Sequence, residues 1–196
     1  ILIDIGGITF LFDPIFSERA SPFTFIGPKR NIPPTIDINN LPKIDYVFIS
    51  HNHYDHLDIE SLIKLSQLNP LTVFNVPKGD KKLLSSNSIL NVNEYEWWES
   101  KYFDDTTFTF TPSNHWSARS LFDRKRSLWG GWHIKHKTKS IIHIGDTAVD
   151  GVFQEFSSKL GRFDIAFLPI GSYSPREIEA EYHVDPIEAF ELAKTL

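Results

Sequence analysis

Apolar residues cluster on both sides of a glycine pair near the start of the chain. Residues 1–5, Gly6-Gly7 and residues 8–12 predict a β-hairpin closed by a two-residue turn. Residues 13–43 carry Pro14, Pro22, Pro28, Pro33, Pro34 and Pro42 and predict a long loop, a length that in a compact domain usually serves function. Residues 46–50 form a short apolar run, the pattern of a buried strand. Residues 58–68 have helical spacing, with Asp58 as N-cap and Leu62, Ile63, Leu65 and Leu68 facing inward.

Further strands are expected over 72–76, around 92–97 and over 107–111, where alternation is clean. Residues 129–135 and 140–145 predict a second hairpin across the polar turn 136–139, with His133 and His136 exposed at its rim and His143 in the core. Residues 164–170 read as another buried run and 186–196 as a second helix. Trp97 and Trp98 are adjacent, so in a strand they point to opposite faces. Strands outnumber helices, which are interspersed, and no repeat or linker interrupts them; one domain over residues 1–196 is expected. The chain starts within a predicted strand without methionine and stops within a predicted helix, so it reads as truncated at both ends.

Composition narrows the chemistry. With no cysteine, disulfides, thiolate metal ligands and cysteine nucleophiles are all excluded. A formal net charge of −5 argues against a general role on nucleic acid, which usually needs a basic face. No apolar run approaches the ~20 residues of a membrane helix.

The densest chemistry lies in Ser50-His51-Asn52-His53-Tyr54-Asp55-His56-Leu57-Asp58, directly after a predicted strand and before a predicted helix. Imidazole and carboxylate in this spacing suit zinc or a similar divalent ion. On a tight turn His51 and His53 can converge on one ion while Asp55 and His56 aim at a neighbour. His115 follows the strand 107–111 and Asp146 follows the strand 140–145, so all three groups sit at strand exits. Two ions about 3.5–4 Å apart share a water, lower its pKa toward neutrality and make hydroxide available as nucleophile.

The His-x-His-x-Asp-His turn with the later His115 and Asp146 resembles the metallo-β-lactamase superfamily. Within it the chain is similar to the group of phospholipases D that hydrolyse N-acyl-phosphatidylethanolamine. The resemblance is carried by Asp13-Pro14-Ile15-Phe16-Ser17-Glu18-Arg19-Ala20-Ser21-Pro22, the metal turn, Thr111-Pro112-Ser113-Asn114-His115-Trp116 with Leu128-Trp129-Gly130, Gly145-Asp146-Thr147, Pro169-Ile170-Gly171 with Tyr173 and Pro175-Arg176, and His183-Val184-Asp185-Pro186. It implies an α+β fold, the four-layer αββα sandwich. It implies that two Zn2+, or other divalent ions, are held by His51, His53 and His115 on one side and by Asp55 and His56 on the other, with Asp146 bridging. Asp55 and Asp146 are then the expected catalytic carboxylates. A seventh family ligand is expected beyond residue 196, and His183 matches a different family histidine, placed near substrate.

Tyr54, Trp116 and Arg119 are further candidates for substrate contact, and the Pro-rich aromatic segment 22–34 for an apolar groove. The run Arg124-Lys125-Arg126 is expected as a solvated loop, with an anionic head group as its alternative partner. The implied activity is phosphodiester hydrolysis of a phospholipid, with no nucleic-acid partner, at most peripheral membrane contact, and a cytoplasmic or peripheral-membrane address. A homodimer is left open. Hydrolysis of another substrate such as a sugar-phosphate lactone, and a non-catalytic metal-binding domain, are the alternatives.

Overall fold

A computed structural model describes residues 1–196 as two compact units, Ile1–Glu94 with Ser117–Ser127, and Tyr95–Trp116 with Leu128–Leu196.

The first unit is built on a five-stranded sheet in which sequence order and spatial order coincide. The hairpin forms as expected: β1 (Leu2–Ile5) pairs antiparallel with β2 (Ile8–Phe12) across Gly6 and Gly7, both at positive φ, where glycine carries no steric penalty. β3 (Tyr46–Phe48) then lies parallel to β2, in the register Phe12↔Phe48. Helix α1 (Ile59–Leu68) carries the crossover to the parallel strand β4 (Val73–Pro77), and the short helix α2 (Lys81–Ser86) leads to the edge strand β5 (Val92–Tyr95).

Parallel strands are usually covered on both faces, and this composition fits that rule. On one face Val47, Ile49, Phe74 and Val76 pack with Leu62 and Leu65 of α1 and Leu84 of α2, all essentially without solvent contact. Phe10, Phe12 and Phe48 are also buried and stack on one another. Leu68, expected inward, is 43% exposed, because it lies in the last turn of α1, where the helix runs past the sheet. Asp58 does precede α1, but its carboxylate accepts from Phe16 N at 3.3 Å, Ser17 N at 3.0 Å and Ser61 Oγ. It ties the long loop to the helix instead of capping the helix backbone.

The second unit holds a second five-stranded sheet, in spatial order β10-β9-β8-β7-β6. β6 (Ser100–Phe103), β7 (Thr106–Pro112), β8 (Gly130–His136) and β9 (Lys139–His143) form an antiparallel meander, and β10 (Ile165–Phe167) adds parallel to β9. Helix α3 (Phe156–Leu160), the short α4 (Arg176–Glu179) and α5 (Pro186–Thr195) complete it. α5 starts at a full capping box: Asp185 accepts from the backbone of Ile187 and Glu188, and Glu188 reaches back to Asp185 N. Phe153, Phe156, Ile142, Ile144 and Leu192 form its core, with Trp98 packed edge-on to Phe156 while Trp97 stays partly exposed against Trp129.

Three expectations fail here. His133 and His136 are buried, not exposed: three residues apart in β8 they point to opposite faces of the sheet, and each is covered on its own face. His133 Nε2 meets Ser140 Oγ at 2.9 Å and His136 Nδ1 meets Thr106 Oγ1 at 2.7 Å. Burial pushes the His133 imidazolium pKa down to about 4, so it is neutral at physiological pH. The run 164–170 is only partly covered, since β10 is an edge strand with one neighbour. No helix is long and apolar enough to cross a membrane.

Candidate metal centre

In the first unit the ligand turn emerges from parallel strands. Because β2 and β3 run side by side in one direction, Asp13 just after β2 and Ser50 just after β3 leave the sheet at the same edge. Asp13 sits at φ 42°, a conformation that aspartate tolerates better than most residues. Its Oδ1 accepts from Ser50 N at 2.7 Å, and its Oδ2 accepts from Ser50 Oγ at 2.7 Å and His56 Nδ1 at 2.8 Å.

These contacts fix protons. The single hydroxyl proton of Ser50 is committed to Asp13, so its oxygen accepts from His51 Nδ1 at 3.0 Å. His51 and His56 therefore both carry N–H on Nδ1 and present a lone pair on Nε2. The His51 Nε2 faces His53 Nδ1 at 2.9 Å, and the His56 Nε2 lies 3.7 Å from the exposed carboxylate of Asp55. Imidazole oriented by a carboxylate behind it is the usual arrangement of a metal-binding histidine.

The intervening residue is clamped from two sides. Asn52 Nδ2 donates to Asp80 Oδ1 at 2.9 Å, and Arg119 Nη1 donates to the carbonyls of Asn52 at 3.0 Å and Leu57 at 2.8 Å. The Arg119 guanidinium lies 4.0 Å from the Tyr54 ring centre, and Tyr54 Oη donates to the Arg119 carbonyl. Asp80 is enclosed, and burial raises its carboxyl pKa to about 7 against the hydrogen bonds from Ser127 and Asn52. Tyr54 and Arg119 also line a cleft of about 400 Å³ with Ser17, Arg19, Phe23 and Asp58. Both expected substrate contacts thus face a cavity while holding the turn.

In the second unit β7 and β9 flank β8 and so point the same way. His115 and Asp146 each lie three residues beyond their strand ends. Gly131 lets the strands close here: a Cβ would strike the His143 carbonyl oxygen and lie 2.7 Å from Ile144 Cα. Ser113 Oγ donates to Asp146 O at 3.0 Å and Asn114 N to Thr147 Oγ1 at 3.0 Å, locking the two loops together. His115 Nδ1 donates to the Tyr182 carbonyl at 3.1 Å, which leaves its Nε2 as the lone-pair nitrogen. That atom is 4.0 Å from Asp146 Oδ2, and His183 Nδ1 is 3.8 Å from the same oxygen. One ligand atom each from His115, Asp146 and His183 falls within 4.8 Å of the others. Trp116 stands beside them, edge-on to Tyr182.

A sequence model of the beta-lactamase superfamily domain matches residues 9–196. The chain belongs to that superfamily. It is 37% identical over 204 residues to N-acyl-phosphatidylethanolamine-hydrolyzing phospholipase D 1 of Caenorhabditis elegans, covering 99% of this chain and 57% of that protein. It is 38% identical over 199 residues to the mitochondrial N-acyl-phosphatidylethanolamine-hydrolyzing phospholipase D of Saccharomyces cerevisiae, covering 97% of this chain and 42% of that one. The chain thus spans about half the length of the curated relatives it matches. Among solved structures, an isothiocyanate hydrolase from Delia radicum gut bacteria covers 100% of the chain and 77% of its own, with a TM-score of 0.75 and 20% identity. The mixed α+β fold with two sheets is that of the metallo-β-lactamases, a superfamily fold that implies a divalent-metal site.

The residues present fit such an ion. Their donors are neutral imidazole nitrogens and carboxylate oxygens, with no thiol in the chain. His115 Nε2 and His183 Nδ1 lie 4.0 and 3.8 Å from Asp146 Oδ2, so the three donor atoms converge closely enough to share one ion. The sequence pattern missed the support: Asp13 and Ser50 behind His51 and His56, Asp80 behind Asn52, and the Tyr182 carbonyl behind His115. Only Asp13 carried a usable signal, since it too follows directly on a predicted strand.

Proposed function

We propose that this chain is the metal-binding part of a metal-dependent hydrolase of the phospholipase D type, acting on the phosphodiester of an N-acylated phosphatidylethanolamine. The observation that carries the reading is the pair of donor clusters, His51, His53 and His56 in one unit and His115, Asp146 and His183 in the other, in which Asp13, Ser50 and the Tyr182 carbonyl orient His51, His56 and His115. His51, His53, Asp55 and His56 of the first unit, and His115 and Asp146 of the second, are the residues that would bind divalent ions, zinc being the best match to these donors. Ions held there supply Lewis acidity toward phosphoryl oxygen. The 37–38% identity with two phospholipases D over almost all of this chain supports the phosphodiester substrate.

The chain's own side chains do the rest. Asp13 and Ser50 keep the lone pairs of His51 and His56 turned outward. Asp80 and Arg119 hold the pitch of the turn from beneath. His183, half-buried with Nε2 3.7 Å from Glu179 and Nδ1 3.8 Å from Asp146, would donate a proton to the departing alkoxide. Trp116 and Tyr54 offer aromatic walls for the substrate.

The test is elemental analysis of the purified protein, followed by assay on N-acylated phosphatidylethanolamine and on a sugar-phosphate lactone. Bound zinc with release of phosphatidate and an N-acylethanolamine supports the reading. Lactone opening without phosphodiester cleavage sinks the substrate, and a protein with no bound metal sinks the centre itself.

A further inference from the structure

Two loops of the first unit that border one cleft carry exposed apolar side chains. The loop 119–126 carries Leu121 at 93% and Phe122 at 83% exposure, and the loop 18–30 carries Phe23, Phe25 and Ile26, all more than half exposed. Arg119 and Tyr54 line one side of the cleft and Pro22, Phe23 and Thr24 the other, so both loops stand at its rim. Exposed phenylalanine and leucine at adjoining loop tips cost hydration in solution, and a patch of this kind marks a surface that is covered in use.

The charge around these tips decides what covers it. The two segments hold seven cations (Arg19, Lys29, Arg30, Arg119, Arg124, Lys125 and Arg126) against two carboxylates, Glu18 and Asp123, in a chain of net charge −5. Three of these cations are the consecutive, exposed Arg124-Lys125-Arg126. That run follows Leu121 and Phe122 after the single residue Asp123. The turn presenting them is fixed: Asp123 Oδ1 accepts from Arg119 N at 3.0 Å and Ser120 N at 2.8 Å, and Lys125 N donates to the Ser117 carbonyl at 2.7 Å. Apolar tips backed by basic side chains match an anionic bilayer, whose head groups take the cations while its acyl boundary takes the rings.

We propose that the loops 18–30 and 119–126 form an interfacial docking surface, which inserts Phe25, Leu121 and Phe122 into an anionic phospholipid bilayer and holds it through Arg124, Lys125 and Arg126. Docking brings the bilayer to the mouth of the cleft. It needs no metal and no hydrolysis, so it stands or falls separately from the proposed activity.

The experiment is flotation of the protein with vesicles of phosphatidylcholine alone and of phosphatidylcholine mixed with phosphatidylserine, at low and high salt. Binding is expected to the mixed vesicles and to weaken with salt. Each basic residue is worth about fivefold in affinity at such a surface, so R124Q/K125Q/R126Q is expected to bind roughly 100-fold more weakly. L121S/F122S is expected to lose on the order of tenfold or more, from the apolar area no longer buried. All five side chains are exposed, so thermal unfolding and metal content should be those of the wild type, as should turnover of a water-soluble phosphodiester. Absence of binding to anionic vesicles overturns the proposal, as does binding that neither variant weakens. A concentration-dependent dimer abolished by L121S/F122S would show that a second copy covers the tips, and would overturn it as well.

Discussion

Replacing Asp13 by asparagine tests the proton arrangement behind the ligand turn with almost no change in shape. Asparagine tolerates the positive φ of this position as well as aspartate does, so the backbone has no reason to move. The native carboxylate accepts three hydrogen bonds, from Ser50 N at 2.7 Å, Ser50 Oγ at 2.7 Å and His56 Nδ1 at 2.8 Å. An amide offers one oxygen. With that oxygen kept on Ser50 N, the NH2 group confronts the Ser50 hydroxyl and the His56 N–H. His56 can relieve the clash only by moving its proton to Nε2, the atom that would bind metal. A hydrogen bond to a charged group is worth about 1.5–3 kcal/mol, and loss of the carboxylate behind a metal-binding histidine typically costs 10–100-fold in affinity. Asp13→Asn is therefore expected to bind zinc about 10–100-fold more weakly, read by competition with a chromophoric chelator, while the metal-free protein unfolds within a few degrees of wild type. Unchanged zinc affinity in a folded Asp13→Asn protein would refute the tautomer argument.

Three further changes probe other levels. Burial holds the Asp80 carboxyl pKa near 7, so between about pH 4 and pH 7 the folded state keeps a proton that the unfolded chain has lost, and stability falls as pH rises through that window. Urea midpoints should show wild type losing about 3 kcal/mol between about pH 5 and pH 8 relative to Asp80→Asn, and parallel pH profiles would contradict it. Gly131→Ala drives a methyl group into the backbone of His143 and Ile144, and should cost about 1–3 kcal/mol in urea unfolding together with metal binding at Asp146; a neutral change would show that the strands can part. Asp185→Ala removes the cap of α5 and should lower stability by about 1 kcal/mol with little effect on the first unit, checked by hydrogen exchange resolved along the chain.

Local patterns were legible and long-range supports were not. The hairpin at 1–12, the strand before the histidines and α1 follow from glycine placement, apolar runs and helical spacing, and each forms near its expected bounds. The candidate ligands were legible because they crowd together at strand ends. Helix α2 went unread because six residues with two lysines and two serines give no clear stripe. The partners of His133 and His136 are set by strand register, Thr106 directly opposite His136 and Ser140 diagonal to His133, opposite Lys135. Asp13 meets His56 across 43 positions of chain, a distance over which no periodicity speaks.

Arg119 has a mechanical consequence. Its backbone begins the turn that presents Leu121 and Phe122, and its guanidinium pegs the carbonyls of Asn52 and Leu57 that frame the ligand turn. One side chain thus connects an exposed loop of the first unit with its largely buried ligand turn. Tension or restraint applied at the loop tip arrives at the histidines without crossing the core. Anything that grips the tip therefore also stiffens the turn.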